Sequence, residues 1–163
     1  MDQIVSAQPG LIPQISGFLT NQRLWGATTF VHHVCDYEYV HLMRDLSPSQ
    51  TLLAKSAMEK FMAQAGQTVK HYHADNFWFA DNGFIDVVNG KDQNITFCGV
   101  GAHHQNGIME NKIKILTTGG HTLLIHGRHM WPNMIDGMFW LFSIKAVAER
   151  LKSLQVDLTV QTP

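Results

Sequence analysis

The sequence is poor in cysteine, in net charge and in long apolar runs. Cys35 and Cys98 are its only cysteines and form no C-x-x-C pair, so neither a disulfide framework nor a cysteine-rich zinc site is predicted. The formal net charge is -1, so any contact with nucleic acid needs a local basic patch. No apolar run approaches the roughly 18 residues of a membrane span, so we expect no membrane partner. These absences favour an intracellular location, nuclear or cytoplasmic.

The composition favours one compact domain. Hydrophobic residues make up 45% of the chain and charged residues 15%, a balance typical of globular rather than disordered proteins. A chain of 163 residues is long enough to bury one core. The sequence contains no internal repeat and no low-complexity linker. A single domain is therefore expected over residues 1–163.

Prolines and glycines that interrupt regular secondary structure, together with β-forming residues, locate the predicted strands. Residues 1–26 are expected to be irregular apart from a strand stub at Asp2, because they contain the breakers Pro9, Gly10, Pro13, Gly17 and Gly26. Strands are predicted over 27–34, 37–43, 68–72 and 94–100. A turn at Cys35-Asp36 is expected to join the first two of these into a hairpin.

Helical spacing of apolar residues and capping residues locate four predicted helices. The first is expected to begin at Ser47 or Ser49 and to end at Gly66. The others are expected over 84–88, over 107–130 and from 132 or 133 to about 154. Gly119-Gly120 is expected to weaken the third helix by about 1 kcal/mol per glycine. Strands that alternate with helices predict an α/β fold with a mixed sheet and helices on both faces.

Three acids occupy positions from which side chains can converge. Asp2 begins the strand stub, Asp75 follows a predicted strand, and Glu110 lies in the first turn of a predicted helix. Convergent carboxylates are the ligands that Mg²⁺ prefers, and a pair of ions can assist attack on a phosphodiester. Each acid also has an ordinary explanation, because Asp is common in turns and the helix dipole favours Glu in a first turn.

Two short motifs connect these acids to a known family. HADN (residues 73–76) is followed, after a gap of 34 residues between Asp75 and Glu110, by QNGIMENK (residues 105–112). FVHHVCDYEYVHLM (residues 30–43) and WPNMIDGMFW (residues 131–140) accompany them. Together these segments resemble the catalytic core of a copia-type retrotransposon integrase, and the resemblance covers nearly the whole chain.

The resemblance implies an RNase H-like fold with a mixed sheet of about five strands flanked by helices, the first strand truncated. It implies a metal-dependent polynucleotidyl transferase that processes DNA ends and performs DNA integration for a transposable element. Asp2, Asp75 and Glu110 would be catalytic and would bind two Mg²⁺ or Mn²⁺ ions. The partners would be element ends and target DNA, with homodimerisation implied as in other integrase cores. Nucleic acid binding would involve Asn76, His103, His104, Asn106 and Lys114.

The sequence also departs from the family pattern. Asp2 follows only Met1, so an N-terminally truncated core is expected, without the zinc-binding and C-terminal domains of the family. Phe77-Trp78-Phe79 stands where the family has small or polar residues. Three roles stay open for these aromatic rings: packing in the core, stacking on a DNA base, or blocking the site. Lys112 is expected to be solvated. These departures keep open the alternative of a catalytically inactive, nucleic-acid-binding remnant of a decayed element.

Overall fold

The computed structural model describes residues 1–12, 20–34, 36–76, 78–99 and 106–160. Five strands and four helices follow one another in the predicted order of types. The strands are β1 (Asp2–Gly10), β2 (Leu24–Val31), β3 (Glu38–Met43), β4 (His71–Ala74) and β5 (Asn94–Phe97). The helices are α1 (Pro48–Gln64), α2 (Asn82–Asn89), α3 (Gly107–Met130) and α4 (Trp140–Val160), with a short 3₁₀ turn at Gly137–Phe139 before α4. None of the described helices is long and apolar enough to cross a membrane.

The first strand corrects the prediction that residues 1–26 are irregular apart from a strand stub at Asp2. β1 is nine residues long and begins at Asp2. Its pairing with β2 is antiparallel and shifts between Val5 and Gly10. Pro9 is tolerated there because β1 is the edge strand of its sheet and the bulge removes the need for its missing N–H. The expected breakers Pro13 and Gly17 lie outside the described residues.

The hairpin and the first helix follow the sequence signals closely. β2 and β3 pair without a register shift from Gly26↔Met43 to Val31↔Glu38. Asp36 adopts a positive φ of 55° in the connecting turn, a conformation that Asp tolerates better than most residues. Ser47 caps α1 by accepting a hydrogen bond from the backbone N–H of Gln50, which confirms one of its two predicted caps.

The five strands form two sheets rather than one. β1, β2 and β3 make a three-stranded antiparallel sheet, and β4 pairs in parallel with β5. The prediction of a continuous five-stranded sheet is therefore not confirmed. Between the two sheets, the amino group of Met1 donates a hydrogen bond to the carbonyl oxygen of His73 at 2.7 Å. This bond places the start of β1 beside the last residues of β4.

Helices cover both faces of the three-stranded sheet and enclose two apolar clusters. On one face, Phe30 and Met43 pack with Ala54 and Met58 of α1, in a cluster that extends to β4 and α2. On the other face, Ile4 and Ala27 pack with helical residues from α3 and α4, among them Leu116, Leu141, Ile144 and Ala148. The predicted inner face of the last helix is confirmed at these α4 positions. It was wrong at Met134, which is 74% exposed and precedes the helix.

Gly119 and Gly120 are poor helix formers, but they allow α3 to pack closely against α4. The helix is continuous through both positions. A Cβ added at Gly119 would lie 3.0 Å from both methyl carbons of Val147, and one at Gly120 would lie 3.1 Å from Cγ1 of Ile144 and from Oγ of Ser143. The missing side chains therefore let α3 and α4 approach closely.

A buried network around Glu59 joins α1 to the two-stranded sheet. One Glu59 oxygen accepts hydrogen bonds from Lys55 Nζ (2.6 Å), Tyr72 Oη (2.8 Å) and Gln93 Nε2 (2.7 Å), and the other from Lys91 Nζ (2.8 Å). Burial opposes ionisation of Glu59, but these four donors outweigh it and lower its pKa to about 2. The carboxylate is therefore held in its charged form.

We predict that filling the glycine pair destabilises the fold. The double substitution of Gly119 and Gly120 by Ala gains helix propensity, about 1 kcal/mol per site. It also pushes methyl groups into Val147 and Ile144, and we expect a lower thermal midpoint. Gly107→Ala is the matched control, because nothing lies within 4 Å of its added Cβ. A double variant that gains as much stability per site as Gly107→Ala would contradict the packing role.

We predict that Glu59 makes the free energy of unfolding depend on pH in the acidic range. Its folded-state pKa of about 2 lies below the ordinary value of 4.5, so its contribution is complete above about pH 4.5 and is lost as the pH falls toward 2. Glu59→Gln should therefore lower stability at pH 7 and flatten the loss between these values. Urea unfolding at several pH values measures this. The exposed Glu149→Gln is the control, and an unchanged acid slope in Glu59→Gln would refute the prediction.

Candidate active site

Asp2 lies at the start of β1, half-buried. Its Oδ1 accepts a hydrogen bond from the backbone N–H of Gln3 at 2.7 Å. Burial raises the pKa of Asp2, and the negative charges of Asp75 and Glu110 raise it further against the lowering effect of the Gln3 bond. The three acids singled out in the sequence therefore interact electrostatically at one corner of the molecule.

The end of β4 fixes the chain at Asp75. The N–H of Cys98 donates to the carbonyl oxygen of Ala74 at 2.9 Å, and the side-chain amide of Asn76 donates to the carbonyl oxygen of Cys98 at 2.7 Å. These two bonds tie the residues on either side of Asp75 to the end of β5. Asn76 thus anchors the residue after Asp75 to the end of β5, and its contact with DNA stays a prediction.

The first turn of α3 brings Glu110 to the same corner. Glu110 is exposed, whereas Asn106 at the N-cap position is only 7% exposed and makes no capping bond through its side chain. The Asn106 amide instead points at Oδ2 of Asp2, at 3.5 Å. Asn106 therefore connects the start of α3 to the start of β1, and its predicted DNA contact would have to use the small part that is accessible.

The corner has the chemistry of a divalent cation site but not a closed set of ligands. Carboxylate oxygens suit a hard cation, and a positive charge would relieve the repulsion that Asp75 and Glu110 exert on Asp2. Within the described part of the chain, however, no group of three His, Cys, Asp or Glu side chains is placed to hold a metal ion. The donor types fit a divalent cation, but the described side chains do not form a complete set of ligands.

A cysteine and a histidine also border the corner, and sequence reasoning did not place them there. Cys98 is buried directly after β5, with Sγ at 3.4 Å from Nε2 of His73. Burial raises the pKa of the Cys98 thiol, and the charge of Asp75 adds to this effect. The thiol therefore stays protonated beside the carboxylates. The parallel pairing of β4 with β5 brings it there, and only the position of Cys98 at a strand end hinted at this.

Lys112 corrects the expectation of a solvated side chain. It is buried, and its Nζ lies 2.6 Å from Oδ2 of Asp36 in the β2–β3 turn. Glu38 lies nearby, 1% exposed, and neither of its carboxylate oxygens has a hydrogen-bond partner among the described residues. Burial raises the pKa of Glu38, and the charge of Lys112 opposes that rise. Lys112 therefore links the helix of Glu110 to the hairpin.

The remaining predicted residues differ in what the structure says of them. Lys114 is exposed on α3, four residues after Glu110, so it is accessible as a phosphate contact. His103 and His104 lie outside the described residues, as does Phe77. Phe79 is fully buried and Trp78 packs against the same core cluster, so these two rings serve packing.

The chain has the fold of an integrase catalytic core. Among solved structures, the HTLV-2 integrase catalytic core domain in complex with magnesium, in its trimeric form, aligns over 90% of this chain and 81% of its own length, with a TM-score of 0.52 and 11% sequence identity. The dimeric form aligns over 90% and 82%, with a TM-score of 0.51 and 11% identity. No protein-family model and no curated protein matches the sequence.

We predict that the two lysines of α3 contribute very differently to stability. Lys112→Met removes the ion pair with Asp36 and one of the two lysine charges that act on the buried Glu38, which should cost about 2 kcal/mol. Lys114→Met removes an exposed charge and should change stability by less than about 0.5 kcal/mol. Chemical denaturation of both variants measures the difference. Equal stabilities would show that the contact with Asp36 has no energetic role.

Proposed function

We propose that this chain is the catalytic core of a retrotransposon integrase, which processes DNA ends and joins them to a target. One observation supports the proposal: within an integrase core fold, the start of α3 meets Asp2 through Asn106, and burial, together with the charges of Asp75 and Glu110, raises the pKa of Asp2. Asp75 and Glu110 belong to the copia-type motifs, and Asp2 corresponds to the first acid of the family by its position in the chain. The motifs favour an element of that type, and the fold agrees with the wider class.

The proposed cofactor is Mg²⁺ or Mn²⁺ in a two-ion site. Asp2, Asp75 and Glu110 would hold the ions through carboxylate oxygens. When bound, the ions would supply activation of a water or a DNA 3′-hydroxyl and stabilisation of the leaving oxygen. Both HTLV-2 catalytic core structures are complexes with magnesium, which supports the choice of cation.

Several residues of the chain would prepare this site for DNA. Asn106 orients Asp2 through the amide that faces Oδ2, and Asn76 holds the Asp75 segment against β5. Lys114 would contact a phosphate from the exposed side of α3. His103 and His104 are proposed as further DNA contacts on the family pattern alone. A homodimer is proposed because one HTLV-2 structure is described as dimeric.

A second proposal is an inactive remnant that keeps the fold and binds nucleic acid. The observation that favours it is the absence, in the described ranges, of three ligand side chains close enough to hold an ion. Such a remnant would bind DNA through basic residues such as Lys114 and would not cut or join it. The two proposals differ in whether divalent metal draws the three acids together.

Metal binding is the first test. We expect Mn²⁺ to raise the thermal midpoint of the protein, because an ion that binds only the folded chain stabilises it in proportion to RT ln(1 + [ion]/Kd). Asp75→Asn and Glu110→Gln should lose most of this rise. Asp86→Asn, at an exposed acid of α2, should keep it. Equal rises in all four proteins would remove the three acids from metal binding.

Strand transfer from a labelled DNA end is the second test. The active core should give product with Mn²⁺, and Asp75→Asn should reduce it at least about 100-fold, since it removes a ligand of the reacting centre. Asp86→Asn should leave the rate unchanged. DNA binding without product, at a metal concentration that saturates the thermal rise, would favour the inactive remnant.

A further inference from the structure

A cavity of about 530 Å³ lies beside the carboxylate corner and has no assigned role. Its walls come from the β2–β3 hairpin, the last turns of α1, β4 and the first turn of α3. This volume falls within the range of sites that bind small organic molecules. The cavity lies near the division between the two sheets and opens to solvent, so a ligand can reach it without unfolding of the core.

The deeper walls are apolar and rich in aromatic rings. Phe30, Tyr37 and Tyr39 line the cavity, and the two tyrosines are braced from behind by Phe61, with ring centroids 5.7 and 5.3 Å away. Rings held in this way give a rigid surface on which another flat ring can stack. Polarisable thioethers complete the walls and favour contact with aromatic edges: Met58, Met62 and Met109.

The mouth of the cavity carries imidazoles instead of charged side chains. His32 and His33 come from the hairpin turn, and His71 and His73 come from β4; all four are exposed. The hydroxyl of Thr96 lies 2.9 Å from Nε2 of His71 and 3.0 Å from Nδ1 of His73. The residues described as lining the cavity include no Asp or Glu. An anion at the mouth can therefore accept hydrogen bonds from the imidazoles of His33 and His71, whereas both ring nitrogens of His73 already contact Thr96 and Cys98.

We propose that this cavity binds a planar aromatic ring that carries an anionic group, which is the chemistry of a nucleotide. The ring would stack within the aromatic walls, and the anion would meet the imidazoles at the mouth. Two sources share this chemistry: a free nucleotide, and an unpaired terminal nucleotide of a DNA strand.

The position of the cavity allows it to communicate with the acids. Asn106 lines the cavity and also directs its amide at Asp2. A bound ring that displaced Asn106 would therefore change the surroundings of Asp2. The binding proposal itself rests on the cavity alone, so it can hold whether or not the acids bind metal.

Methionine methyl groups report on the cavity directly. The chain has eight methionines, of which Met1, Met58, Met62 and Met109 line the cavity, whereas Met130 and Met134 are exposed elsewhere. In a ¹³C-methyl methionine NMR titration, we expect deoxyadenosine monophosphate to shift the first four signals and to leave Met130 and Met134 unchanged. Met58 and Met62 lie on α1, so their shifts distinguish binding in the cavity from binding at the acids.

Three further ligands test separately the need for the anion, the need for the ring and the source of the nucleotide. Deoxyadenosine lacks the anion and should bind about tenfold more weakly, the loss of a charge-assisted hydrogen bond. An aromatic sulfonate keeps ring and anion and should shift the same signals. A short single-stranded oligonucleotide with a 3′ adenine should also shift Met58 and Met62 if a DNA end is the source; if it does not while the mononucleotide does, the free nucleotide is the source.

Matched variants test the mouth and the walls. His33→Glu places a negative charge at the mouth and should weaken nucleotide binding at least about tenfold, while His121→Glu, at an exposed position of α3 outside the cavity, should not. Met62→Trp fills the cavity and should abolish binding, while Met134→Trp is its control. The thermal midpoint of each variant checks its folding. Absence of cavity shifts in the wild type, equal binding of deoxyadenosine, or equal effects of the two Glu variants would overturn the proposal.

Discussion

The two-stranded sheet depends on one partly buried carboxylate, that of Glu59. β4 and β5 share no backbone ladder with the three-stranded sheet, so other contacts must fix their position. Glu59 supplies one, because it joins α1 to Tyr72 of β4 and to Gln93 just before β5. Asp75 directly follows β4, so the placement of a candidate ligand depends on a network on the far side of the strand. The hydrogen bonds of Glu59 hold β4, and the position of β4 in turn sets the position of Asp75.

Local signals predicted some elements to the residue and missed others. α3 has its predicted bounds, and Ser47 caps α1, because capping and helical periodicity are properties of neighbouring residues. β1 was predicted only as a stub at Asp2, since the tolerance for Pro9 follows from a place at a sheet edge that no local pattern contains. β4 lies at His71–Ala74 rather than over 68–72, because pairing with β5 selects the register.

The candidate site divides in the same way. The motifs identified Asp75 and Glu110, and the family pattern added Asp2. In the fold the charges of Asp75 and Glu110 act on Asp2, which sequence spacing alone could not establish. The burial of Lys112 and the approach of Cys98 were not predictable, because each depends on a partner segment far away in sequence. The spacing of the acids depends on side-chain placement at the junction of three elements. That spacing decides whether the three acids can bind metal ions together, and so whether the proposed active core or the inactive remnant is correct.

The bulge in β1 has a consequence for solubility. A nine-residue edge strand presents unpaired backbone groups to other chains, and such edges recruit further strands and aggregate. Pro9 interrupts this edge, and the shift in pairing between Val5 and Gly10 bends it out of the flat geometry that a second strand needs. The same irregularity that hides β1 from sequence patterns protects the folded chain from pairing with its copies.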